Sequence, residues 1–170
     1  MSRWIRGLLR DRTGLAAVEF ALLAPVLVSL WLGMTEFANM HLAARKANIA
    51  AQSVADLVAQ QRTVTTTELD DMLEAARQIM APFPPEFLTV QILSVFRDDD
   101  DALVTEWQYG TGGAAPAETE SLVGTGDSVI VVRLTYRYQP ILDTVIGVRT
   151  LSENAFARPR LQAKVVLDQS

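Results

Sequence analysis

The chain has 170 residues, enough for one membrane anchor and one domain of ordinary size but not for a second large domain. It has no cysteine, which excludes a disulfide framework, a Cys-based metal site and a cysteine nucleophile. The formal charge is −5, and without residues 1–14 the 11 basic residues left face 19 acidic ones, a net −8, so the basic footprint of a nucleic-acid binder is absent.

Residues 1–14 form a basic leader: Arg3, Arg6, Arg10 and Arg12 stand against Asp11. From Leu15 to Met34 the chain is apolar except for Glu19 and long enough, at about 1.5 Å per residue, to cross a bilayer. Residues 15–35 are therefore predicted to be a transmembrane helix with the lipid bilayer as its solvent. The apolar run is too long for a cleavable secretory signal, and the small-x-small candidates beyond it lie in a pattern that continues as helix. Positive residues on the leading side place the N-terminus in the cytoplasm and everything after Met34 outside.

Glu19 is the costly residue of this span. A carboxylate at the centre of a lone spanning helix costs about 2.5 to 3.5 kcal/mol on insertion scales, less near the basic end. Two readings stand: a Glu that snorkels to the headgroups, or one that awaits a positive partner inside the membrane. Pro25 removes one backbone donor within the span and is expected to bend the helix, with neighbouring helices able to satisfy the freed carbonyl.

Gly14, then Glu19-Phe20 five residues on, then Ala21-Leu22-Leu23-Ala24-Pro25, resembles the processing and assembly motif of the TadE/TadF pseudopilins, minor pilin-like proteins of the tight-adherence (Flp, type IVb) pilus. The resemblance is strongest over residues 10–37. It implies that a prepilin peptidase cuts between Gly14 and Leu15, and that Glu19, fifth in the shortened chain, serves assembly together with Phe20. It also implies other pilins or pseudopilins and the inner-membrane assembly platform as partners, in a single-pass protein whose C-terminal domain is periplasmic and which can enter a pilus.

Past the membrane the helical period persists. Met40, Ala43, Ala47, Ala50, Val54, Leu57 and Val58 recur at spacings of three and four opposite His41, Arg45, Asn48, Gln52, Asp56 and Gln60, so residues 36–61 read as an amphipathic stalk. Its alanine stripe suits packing on the chain's own sheet, or close approach of another helix. Residues 62–170 read as the exported domain. Arg62 to Thr66 is expected to be a polar break, with Thr67 as N-cap of a helix whose apolar face is Leu69, Met72, Leu73, Ala76, Ile79 and Met80, and which Pro82 stops. Pro82 to Pro85 is a stiff connector.

The period then falls to two. Leu88, Val90, Ile92 and Phe96 alternate with Thr89, Gln91 and Val95, and a second run sets Leu103, Trp107 and Tyr109 on one side, giving a hairpin with Asp98 to Asp101 at its tip. That tip lacks the glycine and distal Glu of a calcium loop and reads as a solvated turn. Gly110 to Asp127 is a long loop, of a length usually either mobile or functional, and Gly110-Thr111-Gly112-Gly113 makes a poor phosphate cradle. The strongest strand puts Ile130, Val132, Leu134, Tyr136 and Tyr138 on one face and ends at Pro140. Ile141 to Gly147 is an apolar connector, Leu151 to Arg158 a last strand, and Val165 to Leu167 a short edge strand.

The expected architecture is α+β and pilin-like: a long N-terminal transmembrane and stalk helix, a short helix, and a small antiparallel sheet of about four strands. His41 has no second histidine with which to share a metal, and neither a nucleophile elbow nor a recognisable carboxylate pair occurs. No catalytic residue, metal ligand or cofactor is therefore assigned, and the chain reads as a non-enzymatic minor pseudopilin. The alternative is a single-pass envelope receptor or sensor with a periplasmic ligand-binding domain, in which Glu19 is incidental.

Overall fold

The computed structural model describes residues 14–141 and 147–168. Most of the leader and most of the connector expected at Ile141 to Gly147 lie outside the described residues. The chain divides into two compact units, one ending at Asn39 and the other beginning at Met40. Helix α1, Leu15–Ala59, contributes to both and contains Pro25 without interruption.

In the second unit, α1 turns Ala43, Ala47, Ala50, Ala51, Val54, Ala55, Val58 and Ala59 into the core, none more than 2% exposed. Small side chains let the helix lie close to a sheet, so the alanine stripe packs on the chain's own domain. The stretch expected as a polar break is a short strand, β1 (Thr63–Thr65), with Val64 buried. It pairs in parallel with β6 (Val166–Asp168), the edge strand expected near the C-terminus.

Helix α2 (Thr66–Met80) is capped by Thr65 rather than Thr67. Glu68 N donates to Thr65 Oγ1 at 3.2 Å and Thr65 N donates to Glu68 Oε2 at 2.8 Å, a reciprocal capping box. The spacing Thr65-x-x-Glu68 carried this signal. A cap at Thr67 would have put Asp70 in the Glu68 role, whereas Asp70 instead accepts a 2.7 Å bond from Tyr109 Oη.

After a cis Ala81–Pro82 bond and a single turn at Pro85–Phe87, four antiparallel strands form the sheet: β2 (Leu88–Arg97), β3 (Leu103–Gly110), β4 (Ser128–Tyr138) and β5 (Arg149–Ala157), in the order β3-β2-β4-β5. Both faces of β2 and β4 are covered. On one side, α1 and α2 pack over Val90, Ile92, Trp107, Ile130, Val132, Leu134 and Tyr136. On the other, Leu93, Val95, Val129 and Val131 lie against Val123, Ala115, Leu103 and Phe156.

Leu103 thus sits on the opposite face from Trp107 and Tyr109, although simple alternation places all three together. The β2–β3 register slips between Ser94 and Val95, where Trp107 and Thr105 are the successive partners and Glu106 is the extra residue. A single bulged residue reverses every side chain beyond it.

The long loop also has a structural role. Residues 111–127, with the short helix α3 (Thr119–Leu122), cover the second face of the sheet. Gln91, expected on a polar face, is 1% exposed because its Nε2 donates to Gly113 O at 2.7 Å and its Oε1 accepts from Arg133 at 3.2 Å. The glycines permit this approach: a Cβ on Gly112 would lie 2.0 Å from Gln91 Oε1, and Gly110, at φ +81°, would set one 2.2 Å from Val90 O. Arg97 fastens the loop from below, donating to Val123 O at 2.8 Å, Glu120 O at 2.7 Å and Asp101 Oδ1 at 3.1 Å. At the acidic tip, the Asp98 carboxylate accepts from the backbone N–H groups of Asp100 and Ala102.

Candidate membrane and assembly site

Every residue singled out in the sequence for processing, assembly or membrane crossing falls at the start of α1. Gly14 is the turn residue before the helix, and its carbonyl accepts the first helical hydrogen bond, from Val18 N at 3.1 Å. A Cβ built on Gly14 meets nothing within 4 Å. The described residues therefore make no steric demand for glycine here.

Leu15 opens the helix and Glu19 follows one turn later, both exposed. Glu19 has no hydrogen-bond or ion-pair partner among the described residues, and Phe20 beside it is 67% exposed. Between Leu15 and Phe37 twelve Leu, Val, Phe, Trp and Met side chains are 52–72% exposed, and Leu32 is half-buried. The two hydroxyls of this stretch bond within the helix: Ser29 Oγ donates to Pro25 O at 2.7 Å and Thr35 Oγ1 to Trp31 O at 2.9 Å. Apart from Glu19, such a surface suits hydrocarbon, since these two hydroxyls are satisfied within the helix and apolar side chains face outward. By length and composition α1 is able to cross a membrane, and it fits a single-pass anchor near the N-terminus.

Glu36 differs from Glu19 in being buried, at 3% exposure. No apolar periodicity in the sequence singles it out. His41 is exposed on α1. Among the described residues no group of three or more His, Cys, Asp or Glu side chains is placed to hold a metal ion.

Two phenols of the second unit are perturbed. Tyr109 has its pKa raised above 10.0 by its hydrogen bond to Asp70, with burial and the Asp70 charge acting in the same direction. Tyr136 is raised chiefly by burial, with a contribution from Glu86, and lies edge-on to Phe83 with the ring centroids 6.1 Å apart. Both belong to the packing of α2 and its connector on the sheet.

The model of the family described as TadE-like protein matches residues 14–56, starting at Gly14 and ending inside α1. No curated protein and no solved structure matches the chain. The matched stretch holds Gly14, Leu15, Glu19, Phe20 and Pro25, the residues on which the resemblance rests. Over residues 14–56 the chain is similar to the TadE-like family, which supports a link to the tight-adherence pilus system.

Proposed function

We propose that the protein is a non-enzymatic minor pseudopilin, cleaved after Gly14 by a prepilin peptidase and taking part in assembly of a tight-adherence pilus at the inner membrane. The observation that carries this is the start of the TadE-like match at Gly14, ahead of an exposed apolar helix whose Glu19 has no partner among the described residues. A glycine that the described residues do not require points to a demand made by another protein, and a peptidase that reads a small residue at the membrane surface makes such a demand.

Cleavage gives Leu15 a free, positively charged amine at the edge of the hydrocarbon. Glu19 then meets the amine of a neighbouring pilin-like subunit, and the pair removes two charges that are each costly alone in low dielectric. Ala16, Ala17 and Ala21 let the two helices approach closely, and the pairing fixes the depth of one relative to the next. The leader stays cytoplasmic by the positive-inside rule, and the domain after the span is periplasmic.

The test is piliation in a Glu19→Gln strain. Insertion and cleavage are expected to be intact while co-assembly with other pilins, and hence pili, are lost. Wild-type piliation with the variant present in normal amount would overturn the pairing. It is also the result expected of an envelope receptor with a snorkelling Glu19.

A further inference from the structure

The two edges of the main sheet are treated differently. The β3 edge is bulged opposite Ser94 and Val95 and is overlaid by the C-terminal tail, with Trp107 Nε1 donating to Val165 O at 2.7 Å and Lys164 lying 3.5 Å from Glu106. Bulges and covering segments are how proteins blunt an edge strand. The β5 edge has neither device. Its nine residues pair with β4 without a slip, contain no proline, and make no backbone hydrogen bond on their outer side among the described residues.

Along that bare edge runs a groove of about 380 Å³ lined by Gln52, Asp56, Leu122, Asn154, Phe156 and Ala157. Its lining locates it. Ala157 shares its face with Ala155, which belongs to the core beneath α1, whereas Phe156 points to the opposite face, in the cluster under the 111–127 loop. Residues of α1 and the side chain of Phe156 share one groove only around the free side of β5, since β4 closes the other side. The open backbone of β5 is thus the floor, α1 one wall and Leu122 the other.

We propose that this edge receives an extended segment of a partner protein as a fifth strand, with basic and apolar side chains in alternation. The unpaired peptide groups of β5 call for a peptide backbone, as in strand addition to an exposed sheet edge. The α1 wall carries Asp56, and Glu153 lies beside it on the strand face turned to α1; both are acidic, with Arg160 the cation at Asp56. The other wall presents the side chains of Phe156 and of Leu122, which is 37% exposed, with Arg158 donating to Leu122 O at 2.9 Å and lying 3.9 Å from Asp127. A strand with period two presents one kind of side chain to each wall. The proposal is independent of the Gly14 and Glu19 reading.

The test uses the full chain in neutral detergent, a capped heptapeptide alternating lysine and valine as probe, and hydrogen exchange read by mass spectrometry. The probe is expected to slow exchange across β5 saturably and by tenfold or more, leaving β3 unchanged, while a block peptide of the same composition does nothing. Gln52→Arg combined with Leu122→Arg, both surface changes, is expected to weaken the protection at least tenfold with the rest of the exchange map unaltered. Unchanged β5 exchange at millimolar probe, equal protection in the double variant, or protection by the block peptide would each overturn the proposal. So would β5 protection that rises with protein concentration in the absence of probe, which would assign the edge to a second copy.

Discussion

Helix α1 is one element placed in two surroundings. From Leu15 to Phe37 it carries Leu, Val, Phe and Trp outward and is covered by almost nothing of its own chain; from Ala43 to Ala59 it carries Ala and Val inward and is buried against a sheet. Both stretches are apolar and helical, so periodicity alone does not separate them. Side-chain size does. Hydrocarbon accommodates bulky groups at any depth, whereas a sheet about 10 Å away leaves room for small ones, and a packed core tolerates few changes of volume.

The largest expected effect breaks this contrast with one type of substitution. Ala50→Asp puts an unpaired carboxylate at a site with no exposure, and is expected to destabilise the sheet-containing domain by about 3 kcal/mol or more. Leu27→Asp, in the first half, is expected to leave the denaturant midpoint of that domain unchanged and to reduce the membrane-inserted fraction instead, at a cost of about 2.5 to 3.5 kcal/mol. Equal loss of domain stability in both variants would mean that the two halves share one surrounding.

Arg97→Met comes next. It removes the donors that Val123 O, Glu120 O and Asp101 accept from, at about 2 kcal/mol for bonds to a charged group. Hydrogen exchange is expected to accelerate first in residues 111–127, with no change in residues 15–37. Thr65→Ala, which deletes the capping box of α2, is expected to cost about 1 kcal/mol in the denaturant midpoint.

Smallest is Tyr109→Phe, at about 1 kcal/mol or less near neutrality. Because the phenol is raised above 10.0 by Asp70, the folded state holds its proton more tightly than the unfolded chain does. That stabilisation is whole below about pH 10 and is lost as pH rises through the raised folded value. The difference between wild type and Tyr109→Phe is therefore expected to shrink over that range. A difference that grows with pH would contradict the assignment.

Much of this was legible before any coordinate. The apolar run with Glu19, the α2 face and the alternation in β4 are local patterns, and each fixes its own element. The misplaced details depend on partners distant in sequence. Leu103 changes face because of one bulged residue, Gln91 is buried because a loop 22 residues away brings Gly113 to it, and Thr63–Thr65 becomes a strand because β6 returns to pair with it. The Thr65 cap was available in the sequence through Glu68 three residues on. The site itself was legible because Gly14, Glu19 and the apolar span are contiguous, while the bare β5 edge exists only once the strand order is known.

The most direct test of the pseudopilin reading is the intact mass of the protein extracted from membranes of a host carrying its pilus genes. The expected mass is that of a chain lacking residues 1–14 and beginning at Leu15, with cleavage blocked by Gly14→Val, at a position where an added Cβ meets none of the described residues within 4 Å. An uncut chain in the presence of an active prepilin peptidase, or a mature start near Ala38 or Ala44, would contradict it.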